Sequence, residues 1–225
     1  MKRLVFIGDS ITDCGHCFTA DNLGNGYVKH VSMGLLPSCT VENGGTDGFT
    51  FPRILKKWEQ FYSHKPYDIV VVLGGINDVA EAIDGASYAF APVYPSASSS
   101  YSESPKQSAY DPDILAQSES ALFNLINKVF TAGTSHIILI EPFLFPNPAF
   151  LSLWQGALED MRKRIRSAAF PYPHVHLLSP PPFLDEIALE KGISALTSDG
   201  IHLTDLGHRQ LSRLILDTLH PLISK

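Results

Sequence analysis

The chain has 225 residues, of which 44% are hydrophobic and 18% are charged, and its formal net charge is −6 at pH 7. This length and composition are typical of a globular protein with its own core, and they exclude the disordered and fibrous classes. The basic residues are scattered and form no stripe that suits a phosphate backbone, so nucleic acid is not an expected partner.

The start of the chain, residues 1–8, is basic and then apolar, like the start of a signal peptide. Its apolar run is too short for that role and stops at Gly8-Asp9-Ser10, so we interpret it as a first β-strand. No apolar stretch approaches the roughly 18 residues that a membrane-spanning helix needs. We therefore expect a soluble, cytoplasmic protein without a membrane span. The oligomeric state stays open.

Three cysteines, Cys14, Cys17 and Cys39, cannot all pair with one another within the chain. The Cys-x-x-Cys formed by the first two lacks a second pair of ligands, so it is poor evidence for zinc. We expect reduced, non-essential thiols, with a redox pair of Cys14 and Cys17 as the alternative. No metal or organic cofactor is expected.

Five short aliphatic and β-branched runs predict the strands of a buried parallel sheet. They are residues 3–7, 40–42, 68–73, 136–140 and 174–178. Segments with helical spacing follow these runs, at residues 26–36, 51–62, 112–131, 149–169 and 204–222. In the last segment the apolar residues form one stripe and Thr204 can act as the N-cap. This alternation predicts one α/β domain, a three-layer α/β/α sandwich with a five-stranded parallel sheet in the flavodoxin-like order 2-1-3-4-5.

Residues 83–111 break this rhythm, because they are rich in proline and serine and show no period. We expect a long loop that leaves the sheet at the same edge as the other strand-to-helix loops. Such a loop is either a lid, a substrate wall or a surface insertion. Its aromatic residues would suit sugar stacking or a short acyl pocket, although aromatic loop residues also serve packing. They are Tyr88, Phe90, Tyr94 and Tyr101.

In a doubly wound sheet, ligands bind beyond the carboxyl ends of the strands, so the loops after each strand are the places to search. After the first strand, Gly8-Asp9-Ser10 places a serine in a tight turn. Thr12 stands where the Gly-x-Ser-x-Gly elbow of α/β-hydrolases has glycine, so that fold is not supported. Taken alone, a serine that satisfies local backbone donors explains the turn equally well.

Two further loops carry candidate donors for an oxyanion. The loop at residues 43–48 has three glycines, which allow backbone N–H groups to approach a bound oxygen closely. After the third strand, Asn77 places a carboxamide directly beyond the strand end, where its nitrogen could donate to developing negative charge. Each loop also fits a simpler reading, an Asn-Gly turn in the first case and a helix N-cap or turn in the second.

Asp199 and His202 precede the last predicted helix with a spacing of three. This spacing lets the carboxylate reach the ring, select one imidazole tautomer and leave the other nitrogen as a base. A helix-start carboxylate and a surface histidine are the alternative. The other histidines lack a comparable carboxylate on the short, loop-forming side of a strand end, and we expect them to be structural or exposed. They are His16, His30, His64, His136, His174, His176, His208 and His220.

All of these candidates follow predicted strands at one edge of one sheet, which predicts a single site. Four blocks also resemble, in order, the SGNH or GDSL-type esterase and lipase superfamily: residues 8–10, 43–48, 75–78 and 199–202. The resemblance implies Ser10 as nucleophile and Asp199 with His202 as the rest of a triad. It also implies the backbone N–H groups of Ser10 and Gly48 and the amide of Asn77 as oxyanion donors, with Gly45 as the fallback for Gly48.

The expected function is therefore a serine ester hydrolase that cleaves carboxylic esters of short-chain acyl or acetyl groups through an acyl-enzyme. Its partner would be a small-molecule ester. The same machinery would also serve an acyltransferase, a lysophospholipase or a thioesterase, and the same loops would serve a non-catalytic binding domain. A metal-dependent hydrolase with Asp199, His202 and Asp205 as ligands has less support, because Asp-x-x-His is an ambiguous metal spacing.

Overall fold

The computed structural model describes residues 1–84, 110–147 and 152–224, and over these ranges strands and helices alternate. The strands are β1 (Lys2–Gly8), β2 (Cys39–Gly45), β3 (Ile69–Leu73), β4 (His136–Ile140) and β5 (Val175–Leu178). The helices are α1 (Ser10–Asp13), α2 (Tyr27–Leu35), α3 (Phe51–Lys57), α4 (Ile76–Asp84), α5 (Pro112–Thr131), α6 (Ser152–Ala169), α7 (Pro181–Lys191) and α8 (Asp205–Ile223). A π-helical turn, Trp58–Tyr62, extends α3.

The five strands form one parallel sheet in the order β2-β1-β3-β4-β5, which confirms the predicted topology. β1 lies between β2 and β3, and its last residue, Gly8, is paired with Gly45 on one side and Leu73 on the other. All residues of β3 are buried, as the continuous apolar run predicted. Because the strands are parallel, the loops that follow them gather at one edge of the sheet.

The helices cover the sheet in two groups, as a three-layer fold requires. α2 packs against α8, whereas α5 packs against α3, α4 and α6. The apolar stripe predicted for the last helix is present, since Leu211, Ile215 and Leu219 of α8 are fully buried. Thr204 caps this helix by accepting a hydrogen bond from the N–H of Gly207. No helix in the described ranges is both long and apolar enough to cross a membrane.

Three helices were missing from the sequence-based prediction: the short α1, α4 and α7. α4 begins inside the motif at residues 75–78 and continues to Asp84, so the first two residues of the stretch predicted as a loop, 83 and 84, are helical. α7 begins with prolines, which are compatible with a first helical turn, and ends at Gly192, which has a φ of 84°. Because prolines occupy the first turn of α7, the sequence pattern did not indicate a helix there. Residues 85–109 of the predicted insertion, and residues 149–151 of the helix predicted at 149–169, lie outside the described part of the chain.

Candidate active site

Ser10 and His202 are 192 positions apart in the chain and meet beyond the carboxyl end of β1. Ser10 Oγ lies 2.9 Å from His202 Nε2. The other ring nitrogen, Nδ1, lies 2.6 Å from Asp199 Oδ2. A continuous hydrogen-bonded chain therefore runs from a serine hydroxyl through an imidazole to a carboxylate.

Ser10 is held at the sheet edge by a sharp turn at the end of β1. Asp9 caps α1, because its Oδ1 accepts a hydrogen bond of 3.0 Å from the N–H of Ile11. A side chain at Gly8 would collide with the carbonyl oxygen of Leu73 and with Thr12. The strand thus ends at the one residue type that allows α1 to begin at once, and Ser10 is its first residue.

The Asp199 carboxylate organises the turn that presents His202. Its Oδ1 accepts hydrogen bonds from the backbone N–H groups of Ile201 at 2.8 Å and His202 at 2.7 Å, while Oδ2 contacts the ring. Thr197 closes the turn, since its hydroxyl donates to the carbonyl of His202 and accepts from the N–H of Gly200. The spacing of three therefore works through a compact turn held by backbone donors.

The electrostatics of this pair define which ring nitrogen can act as a base. Burial would raise the pKa of Asp199, but hydrogen bonds from the His202 ring and from two backbone N–H groups lower it to about 2. The hydrogen bond to Asp199 raises the pKa of His202, whereas burial acts in the opposite direction. An ionised Asp199 accepts a hydrogen bond from the Nδ1–H of His202. The proton of the neutral ring therefore stays on Nδ1, and Nε2 carries the lone pair and faces Ser10.

The loop after β2 brings Gly48 and Asn77 into one hydrogen-bonded unit. The Asn77 side-chain nitrogen donates to the carbonyl of Phe49 at 3.0 Å, which leaves its second N–H for another acceptor. Gly48 has a φ of 69° and its carbonyl accepts from Arg53. In the described part of the chain the Gly48 N–H has no acceptor. The N–H of Gly45, by contrast, donates to Asn43 Oδ1 at 2.9 Å.

Asn43 anchors this loop, and sequence reasoning had treated it only as part of a turn. Its side-chain nitrogen donates to the carbonyls of Thr12 and Leu23, both at 2.8 Å. The end of β2 is thereby tied to the helix that carries Ser10. An asparagine directly after the strand predicted at residues 40–42 was the sequence signal for this role.

Two buried carboxylates support the site and were also missed. Burial is the main cause that raises the pKa of Asp9 to about 7 and that of Asp78 to about 6. Asp78 accepts the N–H of Phe51 at 3.0 Å and so fixes the start of α3. Asp9 Oδ2 is buried and has no hydrogen-bond partner. A carboxylate directly beside a candidate nucleophile or donor was the available signal.

His16 also has a carboxylate three positions away, although it lies outside the strand ends to which the sequence-based comparison of histidines was limited. Its Nδ1 lies 2.6 Å from Asp13 Oδ1, and its backbone N–H donates to the same oxygen. The spacing is again three, and the pair was overlooked because it lies after α1 and not directly after a strand. Asp47 lies near both His16 and His202. Burial and the charge of Asp13 raise the pKa of Asp47, while His202 and His16 lower it.

Asp205, the third residue of the metal-dependent alternative, pairs with residues other than Asp199 and His202. Asp205 pairs with Arg209 at 2.7 Å and lies 3.5 Å from His30. Over residues 1–84, 110–147 and 152–224, no group of three or more histidine, cysteine, aspartate or glutamate side chains could hold a metal ion. The geometry favours the hydrogen-bonded set at Ser10.

The parallel sheet in the order 2-1-3-4-5, with a Ser–His–Asp set at its carboxyl edge, has the architecture of the SGNH-type α/β hydrolases. The model of the GDSL-like Lipase/Acylhydrolase family matches residues 6–210. The chain therefore belongs to this family of ester hydrolases.

Among curated proteins, an acetylxylan esterase from Geobacillus stearothermophilus is 37% identical over 94 residues. That match covers 37% of this chain and 42% of the relative, so it spans less than half of the relative's length. A crystal structure of Axe2, an acetylxylan esterase from the same organism, superposes with a TM-score of 0.73 at 26% identity. The superposition covers 97% of this chain and 94% of Axe2.

Other solved structures share the fold. LAE5, an α/β hydrolase from the metagenome of Lake Arreo in Spain, has a TM-score of 0.74 at 21% identity and covers 96% of this chain and 94% of its own. The structures of Axe2 include catalytic mutants in which a serine, an aspartate or a histidine is replaced by alanine. The replaced aspartate and histidine of Axe2 are three positions apart.

Proposed function

We propose that this protein hydrolyses carboxylic esters of short acyl groups, acetyl esters above all, with Ser10 as nucleophile, His202 as general base and Asp199 as its orienting carboxylate. The observation that carries the proposal is the pair of contacts at His202, 2.9 Å to Ser10 Oγ and 2.6 Å to Asp199 Oδ2. The catalytic serine, aspartate and histidine named for Axe2 support the same assignment.

The first half of the reaction forms an acyl-enzyme. His202 Nε2 removes the proton of Ser10 as Oγ attacks the ester carbonyl carbon, and the ionised Asp199 stabilises the imidazolium that results. When the tetrahedral intermediate collapses, His202 returns this proton to the leaving alcohol. The acyl group then remains on Ser10 Oγ.

Three donors are available to the oxyanion of the tetrahedral intermediate: the backbone N–H groups of Ser10 and Gly48 and the second amide N–H of Asn77. The Gly48 N–H has no acceptor in the described residues, which favours it over Gly45, whose N–H is held by Asn43. The hydrogen bond between Asn77 and Phe49 would keep these donors at a constant separation before substrate binds. Preorganised donors of this kind supply much of the rate in acyl transfer.

The second half of the reaction releases the acid. Water attacks the acyl carbon, His202 Nε2 accepts its proton, and the same donors hold the second oxyanion. When this intermediate collapses, the bond from the acyl carbon to Ser10 Oγ breaks and His202 returns the proton to Oγ. Every proton in this cycle moves between Ser10, His202, water and the leaving alcohol. A sugar or alcohol that replaced water as acceptor would instead give a transferred ester.

The preference for a short acyl group is supported by the curated relative and by Axe2, both acetylxylan esterases. Acetyl groups on a saccharide are therefore the first natural-type substrates to test. The alcohol side of the substrate is a separate question, because all of these esters share one acyl-transfer mechanism.

The experiment that tests the proposal is hydrolysis of p-nitrophenyl esters from acetate to palmitate by the wild type and by Ser10→Ala. We expect turnover that is fastest on the shortest acyl chains and absent from the variant. Near-wild-type turnover by Ser10→Ala would remove Ser10 from the mechanism, and a preference for palmitate would refute the short-acyl assignment. Circular dichroism of the variant establishes that its fold is intact.

Labelling with a fluorophosphonate probe distinguishes an enzyme of narrow substrate specificity from a non-catalytic binding domain. The probe reacts with an activated serine whatever the natural substrate is. Labelling of Ser10 in the wild type and none in His202→Ala supports the mechanism. No labelling of the folded wild type would contradict it.

A further inference from the structure

A second nucleophilic side chain stands next to an oriented histidine outside the site described above. Cys17 Sγ lies 3.4 Å from His16 Nε2, and His16 Nδ1 lies 2.6 Å from Asp13 Oδ1. The three residues thus repeat the order of contacts found at Ser10, with a thiol in place of the hydroxyl. The ring and the carboxylate are largely buried, at 15% and 18% exposure, whereas Cys17 is exposed.

The carboxylate decides the tautomer of this histidine. Asp13 Oδ1 accepts from the backbone N–H of His16 and also from its ring, so the ring proton sits on Nδ1. Nε2 then carries a lone pair and points at the thiol. In this arrangement the thiol donates its proton to the ring, and the proton can pass to Nε2 to leave a thiolate beside an imidazolium.

Cys14 provides the opposite case within the same chain. It also contacts a histidine, with Sγ 3.3 Å from His208 Nε2. Here the N–H of Tyr27 donates to His208 Nδ1, so the ring proton must sit on Nε2, where it donates to the sulfur and cannot receive a proton. Burial raises the pKa of the Cys14 thiol to about 12 and lowers the pKa of His208 to about 4.

Charged groups of both signs lie near Cys17. Lys57 lies close by: burial lowers its pKa, while the nearby Asp13 and Cys17 act in the opposite direction. Its ammonium group favours a thiolate. A negative charge on Asp47 would oppose the thiolate. This carboxyl shares a hydrogen bond with Asp13 and has a raised pKa, with burial as the main cause, which weakens that opposition. The paired imidazolium is the nearest compensating charge.

We propose that Cys17, His16 and Asp13 form a second nucleophilic centre, at which Cys17 reacts with low-molecular-weight disulfides to give a mixed disulfide. The Cys17 proton moves to His16 Nε2, and the thiolate attacks one sulfur of the disulfide. A new bond forms from Cys17 Sγ to that sulfur as the original S–S bond breaks. The second sulfur leaves with the electron pair and takes the proton from His16, so the cysteine is oxidised and the reagent is reduced.

The test follows the reaction of the folded protein with dithiodipyridine, whose released thiopyridone absorbs light. We expect one rapid equivalent in the wild type, retained in Cys14→Ser and lost in Cys17→Ser. Mass spectrometry of the digested product identifies the modified residue. A rapid equivalent that persists in Cys17→Ser would overturn the proposal.

Exposure alone would also make Cys17 faster than the more buried Cys14 and Cys39, so the decisive comparison concerns the histidine. His16→Gln keeps a polar side chain of similar length but no base, and Asp13→Asn removes the charge that orients the ring. An unpaired thiol is only a few per cent ionised at pH 7, so both changes are expected to slow the rapid equivalent about ten-fold. Rates equal to the wild type in both variants would show that Cys17 is an ordinary surface thiol.

A comparison without mutation guards against misfolded variants. In urea the three thiols are exposed and lack their partners, so Cys17 of the folded chain should react faster than the same thiol in the unfolded chain. Equal or slower reaction of the folded chain would refute the proposal. The rapid equivalent should also persist in Ser10→Ala, because the thiol chemistry does not depend on the esterase activity proposed above.

Discussion

The side-chain nitrogen of Asn77 donates to the carbonyl oxygen of Phe49 over 3.0 Å, and this bond joins the first turn of α4 to the loop that follows β2. Two segments from different strands are thereby held together at the sheet edge beside Ser10. The bond uses one N–H of the amide and leaves the other for a second acceptor. One N–H of Asn77 therefore makes a structural hydrogen bond, and the second is available for a chemical role.

Replacing Asn77 by alanine separates these two roles. We expect Asn77→Ala to lower kcat by about 10²–10³, as the loss of one oxyanion donor does in acyl transfer, with a much smaller change in KM. Loss of the contact with Phe49 should cost about 1 kcal/mol of stability, measured by urea denaturation. An effect confined to KM would contradict the oxyanion role.

The carboxylate of Asp199 should control the pH dependence of the reaction. Its hydrogen bond raises the pKa of His202, and His202 must be neutral to act as a base, so kcat/KM falls as the pH drops through that pKa. In Asp199→Asn the charge is gone, so the acid limb of the profile should move to lower pH. We expect the maximal kcat to fall by about 10⁴, because the tautomer is no longer held. An acid limb at the wild-type position would refute this assignment.

Asp9 should make the fold less stable as the pH rises. Its carboxyl ionises near 3.8 when unfolded, and burial raises this pKa to about 7 in the folded chain. Between these values folding takes up a proton, so the free energy of unfolding falls as the pH increases, and the full cost is present above pH 7.

Asp9→Asn removes that cost while keeping an oxygen that can cap α1. We expect equal stability of variant and wild type below about pH 4, and an advantage for the variant on the order of 4 kcal/mol above about pH 7. Urea denaturation across this range measures the difference, in which contributions from other groups cancel. A difference that does not change with pH would show that Asp9 is ionised in the folded chain throughout.

Two glycines offer a matched pair of substitutions. A side chain at Gly45 would collide with the backbone of Thr12 and Asp13, in the helix that carries Ser10, whereas one at Gly156, on the exposed face of α6, would meet nothing within 4 Å. We expect Gly45→Ala to destabilise the protein and abolish turnover. Gly156→Ala should stabilise it by about 0.5–1 kcal/mol at unchanged turnover, because alanine is the better helix former. Thermal unfolding and p-nitrophenyl acetate hydrolysis test both, and an active, stable Gly45→Ala would contradict the close approach.

Features that depend on neighbouring residues could be predicted from the sequence. The apolar runs and helical stripes located the five strands and five of the helices, because side-chain periodicity follows directly from backbone geometry. The alternation of strands and helices predicted a doubly wound sheet, and the order 2-1-3-4-5 was chosen as the flavodoxin-like one among the orders such a sheet can have. The contact between Asp199 and His202 was predictable for the same reason, since three residues form one turn.

Other features depend on how distant segments pack. The approach of Ser10 to His202 spans 192 positions and arises because β1 lies inside the sheet, between β2 and β3, and α8 packs against α2. The choice between Gly48 and Gly45 depends on which N–H Asn43 occupies, and hydrogen-bond partners across loops have no periodic signature in the chain. The same holds for Cys14 and Cys17: both are cysteines near a histidine, and only Tyr27 on one side and Asp13 on the other determine which ring nitrogen carries the proton. Sequence patterns thus determined the elements and the edge at which they gather, while the orientation of each donor, base and thiol was decided by tertiary packing, because hydrogen bonds are directional and hydrophobic periodicity is not.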